Sequence, residues 1–542
     1  MNSIISVPIP KNEPVHEYLP NSQERIRLNA ALKEISNSPI ELPHVIGGKH
    51  RMGSGTLINI VQPHNHNSYI GTMTNADQYD TNLAIKAALT AKLSWSQMPF
   101  EERASIFLRA ADLLSGPWRE KMVAATMLGQ SKSVYQAEID SSCELVDFWR
   151  FNVSFARKIL SEQPISSPGV WNQTDYRSLE GFIYAITPFN FTAIAGNLPT
   201  APALMGNTIV WKPATNQTFS AYLTIKLLEA AGLPPGVINL LTGNGIEVSN
   251  IVLTNPYLSG IHFTGSAATF NKLWQKVGTN IQNYYTYPRL VGETGGKDFI
   301  IAHSSANLDT LRTALIHGAF DYQGQKCSAA SRAFIPQSIW NQFKDELVSD
   351  IENINYGDIT DLANYGGALI DKHSFMKNIN AIERAKSTSD ITLLAGGNFD
   401  GSKGYFVQPT LLISDSISNE MFSTEYFGPI LAVHIYPDNE YKSILNVINC
   451  GTRYALTGSI IANDRTAIQI ASSQLRNAAG NFYINDKPTG AIVGQQPFGG
   501  SRASGTNDKA GSALNLTRWV SARSIKESFS PQTNYVYAHM QI

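Results

Sequence analysis

Cysteine is scarce: Cys143, Cys327 and Cys450 are the only three in 542 residues. No CxxC or CxxH spacing occurs, so neither a disulfide framework nor a zinc site is expected, and the usage suits a reducing compartment. Net charge is small, at -1, and acidic and basic residues alternate rather than forming blocks. That leaves no electrostatic footprint for nucleic acid or an anionic membrane as partner. Repeats and low-complexity tracts are missing. The uncharged stretch Gly181 to Trp211 is broken by Pro188, Pro199, Pro202, Asn190, Asn197 and Asn207, so it reads as buried core rather than a membrane span. The first twenty residues lack both a positive region followed by an apolar run and an Arg-rich amphipathic pattern, so a targeting signal is either not present, weak or already removed.

What is present is the composition of a soluble globular protein, 43% hydrophobic and 16% charged. The length exceeds one core and implies two or three domains. Residues 1–20, rich in Pro and polar groups, predict an extended arm. Ser22 to Ile35 predicts a surface helix. The pattern is helical from Asp80, as a cap, to about Phe151, with a stop at Ser115-Gly116-Pro117. SPGVWNQTDYRSLEG predicts a hairpin-like excursion. GFIYAITP, NTIVWKP, GVINLLTG and GIHFTGS then read as short strands, with a helix at Ser220–Ala231, which predicts a parallel sheet with helices on both faces. Ligands of such sheets bind at the carboxyl ends of the strands. A second α/β pattern follows, with a helix at Trp340–Ile351 and strands in YFVQPTLLI and ILAVHIY. The alternating tail TRWVSARSIKES can pair with the earlier excursion or with another subunit.

Of the cysteines, Cys327 stands out. GQKCSAAS is small and polar, which suits a loop in a site. A reactive thiolate needs positive potential or a helix N-terminus, and Ser328-Ala329-Ala330 is a candidate to open such a helix. Cys143 and Cys450 lie in helical, apolar surroundings and read as structural. Glu293 in RLVGETGGKD is either a solvated turn residue or a general base in a partly dry cleft. Asn190 in ITPFNF is a turn residue or an oxyanion donor. Gly265-Ser266 opens a helix and offers a phosphate seat, although the full GxGxxG fingerprint is missing. GQQPFGGSRASGTNDKAG (494–511) reads as a surface loop or a binding loop, with Phe498 inside it. His64 and His66 have no third ligand and read as structural.

The set TPFNF, VWKP, FTGS, VGETGGK, QGQKCS and EYFGP, in that order, resembles the aldehyde dehydrogenase superfamily from about residue 20 to 525. The resemblance implies an α/β fold with a Rossmann-type NAD-binding domain (21–164 and 182–296), a catalytic α/β domain (297–495) and a bridging β oligomerisation segment (165–181 and 511–542). It assigns Cys327 as nucleophile, Asn190 and the Cys327 N–H as oxyanion donors, and Glu293 as the base that activates water. Thr187, Lys212, Gly265, Ser266, Ala267, Ala268 and Thr269 would line the dinucleotide. Glu425 would hold the nicotinamide ribose, beside Phe427.

DFWRFN, FDYQGQKCSAASR and GAIVGQQPFGGSRASGTNDK resemble the branch of the family that oxidises L-glutamate 5-semialdehyde to L-glutamate in proline degradation. By that resemblance, Ser328 and the backbone of Gly490 and Ala491 bind the substrate's α-carboxylate, Phe191 and Phe498 flank its chain, and Glu144 meets its amino group. NAD is the implied cofactor. Thr215 stands three positions after Lys212, where NAD-specific members often carry an acidic residue, so NADP remains open. A later glycine is absent from GSAATF, which implies a less extended dinucleotide. The implied partners are a small-molecule substrate and a second copy of the chain. The implied compartment is the mitochondrial matrix in a eukaryote and the cytoplasm in a prokaryote.

Overall fold

The structure, a computed structural model, describes residues 5–541. Two seven-stranded sheets form its frame. In the first, strands Arg289–Glu293, Leu258–Thr264, Phe182–Thr187, Ile209–Pro213 and Ile238–Leu240 lie side by side and parallel. Every residue of Ile209–Pro213 is buried, as expected of a strand covered on both faces. The sheet is not wholly parallel: His44–Ile46 and Lys49–Arg51 extend it antiparallel. The second sheet runs Ile391–Ala395, Thr410–Ser414, Ile430–Tyr436, Ala330–Pro336, Asp298–Ala302, Thr457–Ile461 and Asn481–Ile484. Only its edge strand Ile391–Ala395 is antiparallel. Trp95, Trp149, Trp211 and Trp519 are fully buried in the packing around the first sheet, each burial worth about 1.5–3 kcal/mol.

Several sequence expectations need correction. The long helix Gln78–Gln97 begins before Asp80; Asp77 is its cap, accepting from the Asp80 N–H at 2.8 Å. Asp80 is buried three residues later, facing His44 and Arg51. The excursion is not a hairpin. Its single strand Val170–Ser178 pairs antiparallel over nine residues with Val520–Ser528, the alternating tail. YFVQPTLLI is split at Gln408-Pro409 into Phe406–Val407 and Thr410–Ser414, because proline has no N–H for the ladder. Ile40–Glu41, Leu57–Gln62 and Asn65–Thr74, where the sequence pattern offered no element, form a separate three-stranded sheet. Cys450 is exposed at the end of its helix, whereas Cys143 is buried.

Two helix boundaries match expectation. Ser22 caps the helix Gln23–Asn37, and the helix Phe100–Ser115 stops at Gly116. His64 is buried against Ser131 and His66 bonds the Gly401 carbonyl. Among the described residues no His, Cys, Asp and Glu group of three or more is arranged to hold a metal, and no helix is long and apolar enough to cross a membrane.

Candidate active site

The carboxyl ends of the first sheet form one wall. Thr187 and Lys212 end neighbouring strands, and the Thr187 hydroxyl accepts from the Trp211 indole at 3.0 Å. Lys212 is buried, its ammonium on the Pro213 carbonyl, and burial pushes its pKa down to about 7. The next strand, Leu258–Thr264, runs through Gly265 into the helix Ala267–Thr279. Ser266 caps this helix by accepting from the Thr269 N–H at 3.1 Å. The Ala267 and Ala268 N–H groups stay free at the positive end of a helix dipole, so the residues present fit an anionic diphosphate.

The second sheet supplies the facing wall from its amino ends. Cys327 lies just before the strand Ala330–Pro336, so Ser328 to Ala330 lead into a strand and open no helix. The preceding loop is wound left-handed at Tyr322, Gln323 and Gly324, with φ of 50°, 54° and 65°. Two non-glycine residues there cost about 1–3 kcal/mol each, and the surroundings hold them. The Lys132 ammonium lies 4.6 Å from the Tyr322 ring centre, Gln323 donates to the Ser131 carbonyl, and Gln325 accepts from the Ile370 N–H at 2.9 Å. Asn190 donates to the Gln325 carbonyl at 3.0 Å, which joins the end of a first-sheet strand to the cysteine loop.

No helix N-terminus follows Cys327 to supply positive potential. Burial pushes its thiol well above the ordinary range, and the carboxylates of Asp298, Glu293, Glu425 and Glu144 push it further. Burial and these acidic neighbours favour the neutral thiol over the thiolate. Glu293 ends the edge strand of the first sheet, and its carboxylate accepts from the Gly500 N–H at 3.1 Å. Burial lifts its pKa well above the ordinary carboxylate range, with Gly500 and Lys509 opposing. It is thus a cleft carboxyl and not a solvated turn residue. Glu425 accepts from the Gly296 N–H at 3.0 Å and lies so close over Gly295 that a Cβ there would meet its oxygens at 2.0 Å. Burial pushes Glu425 up to about 7. Phe427 stands edge-on to Phe189, 5.7 Å between ring centres. A small cavity between these parts is lined by Gly296, Lys297, Gly324, Lys326, Glu425 and Phe427.

Ser328 meets the 490s loop: its hydroxyl is 2.7 Å from the Thr489 hydroxyl, next to Gly490, whose φ of 90° favours glycine. Ala491 follows it in that loop. Phe498 is fixed by two backbone bonds with Ala510. Phe191 lies under the Lys132 ammonium, 4.2 Å from its ring centre. Phe191 and Phe498 do not stack on one another. Glu144 ends the π-helical turn Glu138–Glu144, a kind of irregularity frequent at functional sites. Burial, reinforced by Asp140, pushes Glu144 up to about 8, against the pull of Lys132.

Comparison with known proteins fits this geometry. The model of the aldehyde dehydrogenase family matches residues 50–525. The chain belongs to the aldehyde dehydrogenase family. It is 46% identical to the mitochondrial delta-1-pyrroline-5-carboxylate dehydrogenase of Dictyostelium discoideum, over 99% of this chain and 96% of that protein. It is 45% identical to the human protein of the same name, over 98% and 94%. The crystal structure of the Mycobacterium tuberculosis delta-pyrroline-5-carboxylate dehydrogenase bound with NAD superposes with a TM-score of 0.97 at 64% identity, over 100% of both chains.

Within this aldehyde dehydrogenase fold, sequence reasoning missed several groups. Asp140 accepts from the Thr192 and Ala193 N–H groups, both at 2.9 Å, and pairs with buried Lys132 at 2.6 Å. It thereby caps the helix that follows Asn190 and Phe191. Lys326 adjoins Cys327, is buried, and pairs with Asp321 at 3.6 Å. Its place beside Cys327 was the available signal. Asp298, bonded to the Thr457 N–H, and Lys297, pushed down to about 7 by burial, had only their place after the glycine pair.

Proposed function

We propose that this aldehyde dehydrogenase oxidises L-glutamate 5-semialdehyde, the hydrolysed form of 1-pyrroline-5-carboxylate, to L-glutamate with NAD, the second step of proline degradation. The relatives' names and the NAD-bound neighbour support the substrate and the cofactor. The observation that carries the substrate reading is the 2.7 Å contact of Ser328 with Thr489. It puts a neutral donor beside the nucleophile and at the root of the Gly490–Ala491 loop.

The Cys327 thiol gives up its proton to solvent water, and its sulfur adds to the aldehyde carbon. The Asn190 amide, already at the loop, and the Cys327 N–H donate to the resulting oxyanion. NAD, when bound, supplies the hydride acceptor. Hydride loss from the sulfur-bound carbon leaves a thioester on Cys327. Glu293 removes a proton from water as the water attacks that thioester, giving the carboxylate and the free thiol. Thr187, Lys212 and Gly265–Thr269 hold the dinucleotide, with Glu425 at the ribose and Phe427 beside it.

The substrate's α-carboxylate accepts from Ser328 and from the backbone of Gly490 and Ala491, with Lys326 as a nearby cation. Phe191 and Phe498 flank its chain, and Glu144 accepts from its amino group. The domain division at 164, 182, 296 and 495 follows the two sheets. The ribbon of Val170–Ser178 and Val520–Ser528, with Trp171 exposed on it and Phe529 exposed at its end, joins two copies into a dimer. The compartment follows lineage, the mitochondrial matrix in a eukaryote and the cytoplasm in a prokaryote.

The test is an assay of nicotinamide reduction with pyrroline-5-carboxylate, succinate semialdehyde and propanal, each with NAD and with NADP. Highest kcat/KM with pyrroline-5-carboxylate and NAD is expected. A large preference for succinate semialdehyde overturns the substrate reading.

A further inference from the structure

Residues 5–20 contain no helix or strand, yet they are tightly bound. Glu13 pairs with Arg119 and with Arg150, both at 2.6 Å. The His16 N–H and the Tyr18 hydroxyl donate to Glu138, at 2.9 and 2.8 Å. Glu138 begins the π-helical turn that ends at Glu144. One residue before Glu13, Asn12 makes three further bonds. Its amide donates to Asp147 at 2.7 Å and to the Val493 carbonyl at 2.9 Å, and its oxygen accepts from Gln495 at 2.9 Å. Asp147 lies on the helix Leu145–Ser161, directly after Glu144 and in line with the π-helical turn. Val493 and Gln495 belong to the loop that follows Gly490 and Ala491. The same loop presses on that helix at Gly494, where a Cβ would meet the Phe151 ring at 2.2 Å.

We propose that the N-terminal arm positions the substrate site: Asn12 pins the Gly490–Phe498 loop to the helix that follows Glu144, fixing the gap between the two ends of the substrate's amino-acid group. The inference rests on the substrate reading above. That reading assigns the carboxylate to Gly490 and Ala491 and the amino group to Glu144. The arm's hydrogen bonds and ion pairs end on neither of these groups. The arm ties the backbone of one to the helix of the other, and its salt bridges and hydrogen bonds hold it against the molecule. A substrate that engages both ends depends on their spacing. A plain aldehyde such as propanal engages neither, so its oxidation does not depend on Asn12.

The test compares wild type, Asn12→Ala and Gln495→Ala, full length and saturated with NAD, on pyrroline-5-carboxylate and on propanal. Asn12→Ala is expected to lower kcat/KM about tenfold on pyrroline-5-carboxylate, through KM, the scale of one lost hydrogen bond to a charged acceptor. Propanal oxidation is expected to stay within about twofold of wild type, since no positioned contact is lost. Gln495→Ala keeps both donor bonds of Asn12 and is expected to lower the same ratio about two- to threefold. An unchanged ratio of the two substrates, or equal losses on both, overturns the proposal. If Asn12→Ala fails to fold, the ratio in Gln495→Ala decides. If wild type itself shows no preference for pyrroline-5-carboxylate over propanal, the substrate reading fails and the inference falls with it.

Discussion

The two large sheets share an architecture and meet the cleft from opposite ends. The first presents the carboxyl ends of its strands, at Thr187, Lys212 and Thr264, and offers a lysine and free helix N–H groups. The second presents amino ends, just after Lys297, Cys327 and Gly428, and offers a thiol among carboxylates. Carboxyl ends that feed helices make an anion seat. Amino ends are fed by loops, and loops place single reactive side chains. One wall therefore suits holding a dinucleotide and the other covalent chemistry.

The comparison breaks first at the thiol wall. Cys327→Ser is expected to lower kcat by about 10³-fold or more, because the nucleophile is removed. Steady-state rates with unchanged NAD binding check it. Glu293→Gln is expected to cost about 10²–10⁴-fold in kcat as water loses its base. In wild type, burial holds the Glu293 carboxyl protonated above the ordinary carboxylate range. The fraction able to accept a proton grows as pH rises, so kcat rises with pH. Glu293→Gln flattens that limb, which a pH profile of kcat reads. At the dinucleotide wall the effects are smaller. Lys212→Met is expected to raise KM for NAD about tenfold, the scale of one charged hydrogen bond, with kcat changed less. Thr215→Glu is expected to reduce NADP use by several-fold and leave NAD use near wild type, because a carboxylate repels a 2′-phosphate.

Much of the first wall was legible in the sequence. Apolar runs ending in small residues marked the strands Phe182–Thr187, Ile209–Pro213 and Leu258–Thr264, and Ser266 marked a helix start. The thiol wall was less so. Cys327 and Glu293 stood out in small, polar loops. The electrostatics of Cys327 did not, since Asp298 lies 29 positions from it and reaches it only through pairing of the strands that follow. The helix imagined after Ser328 failed because nothing local distinguishes a loop entering a helix from one entering a strand. Asp140 gave no signal, because its work is to cap a helix 52 residues away. The pairing of Val170–Ser178 with the tail was one of two readings, and only the fold selects it.

The mechanism proposed above routes the reaction through a covalent bond to the Cys327 sulfur. The most direct measurement is mass spectrometry of the acid-quenched Glu293→Gln enzyme after mixing with NAD and pyrroline-5-carboxylate. A glutamyl thioester is expected on the peptide containing Cys327 and none on those containing Cys143 or Cys450. Turnover in wild type with no adduct at Cys327, or with an adduct on another cysteine, would contradict it.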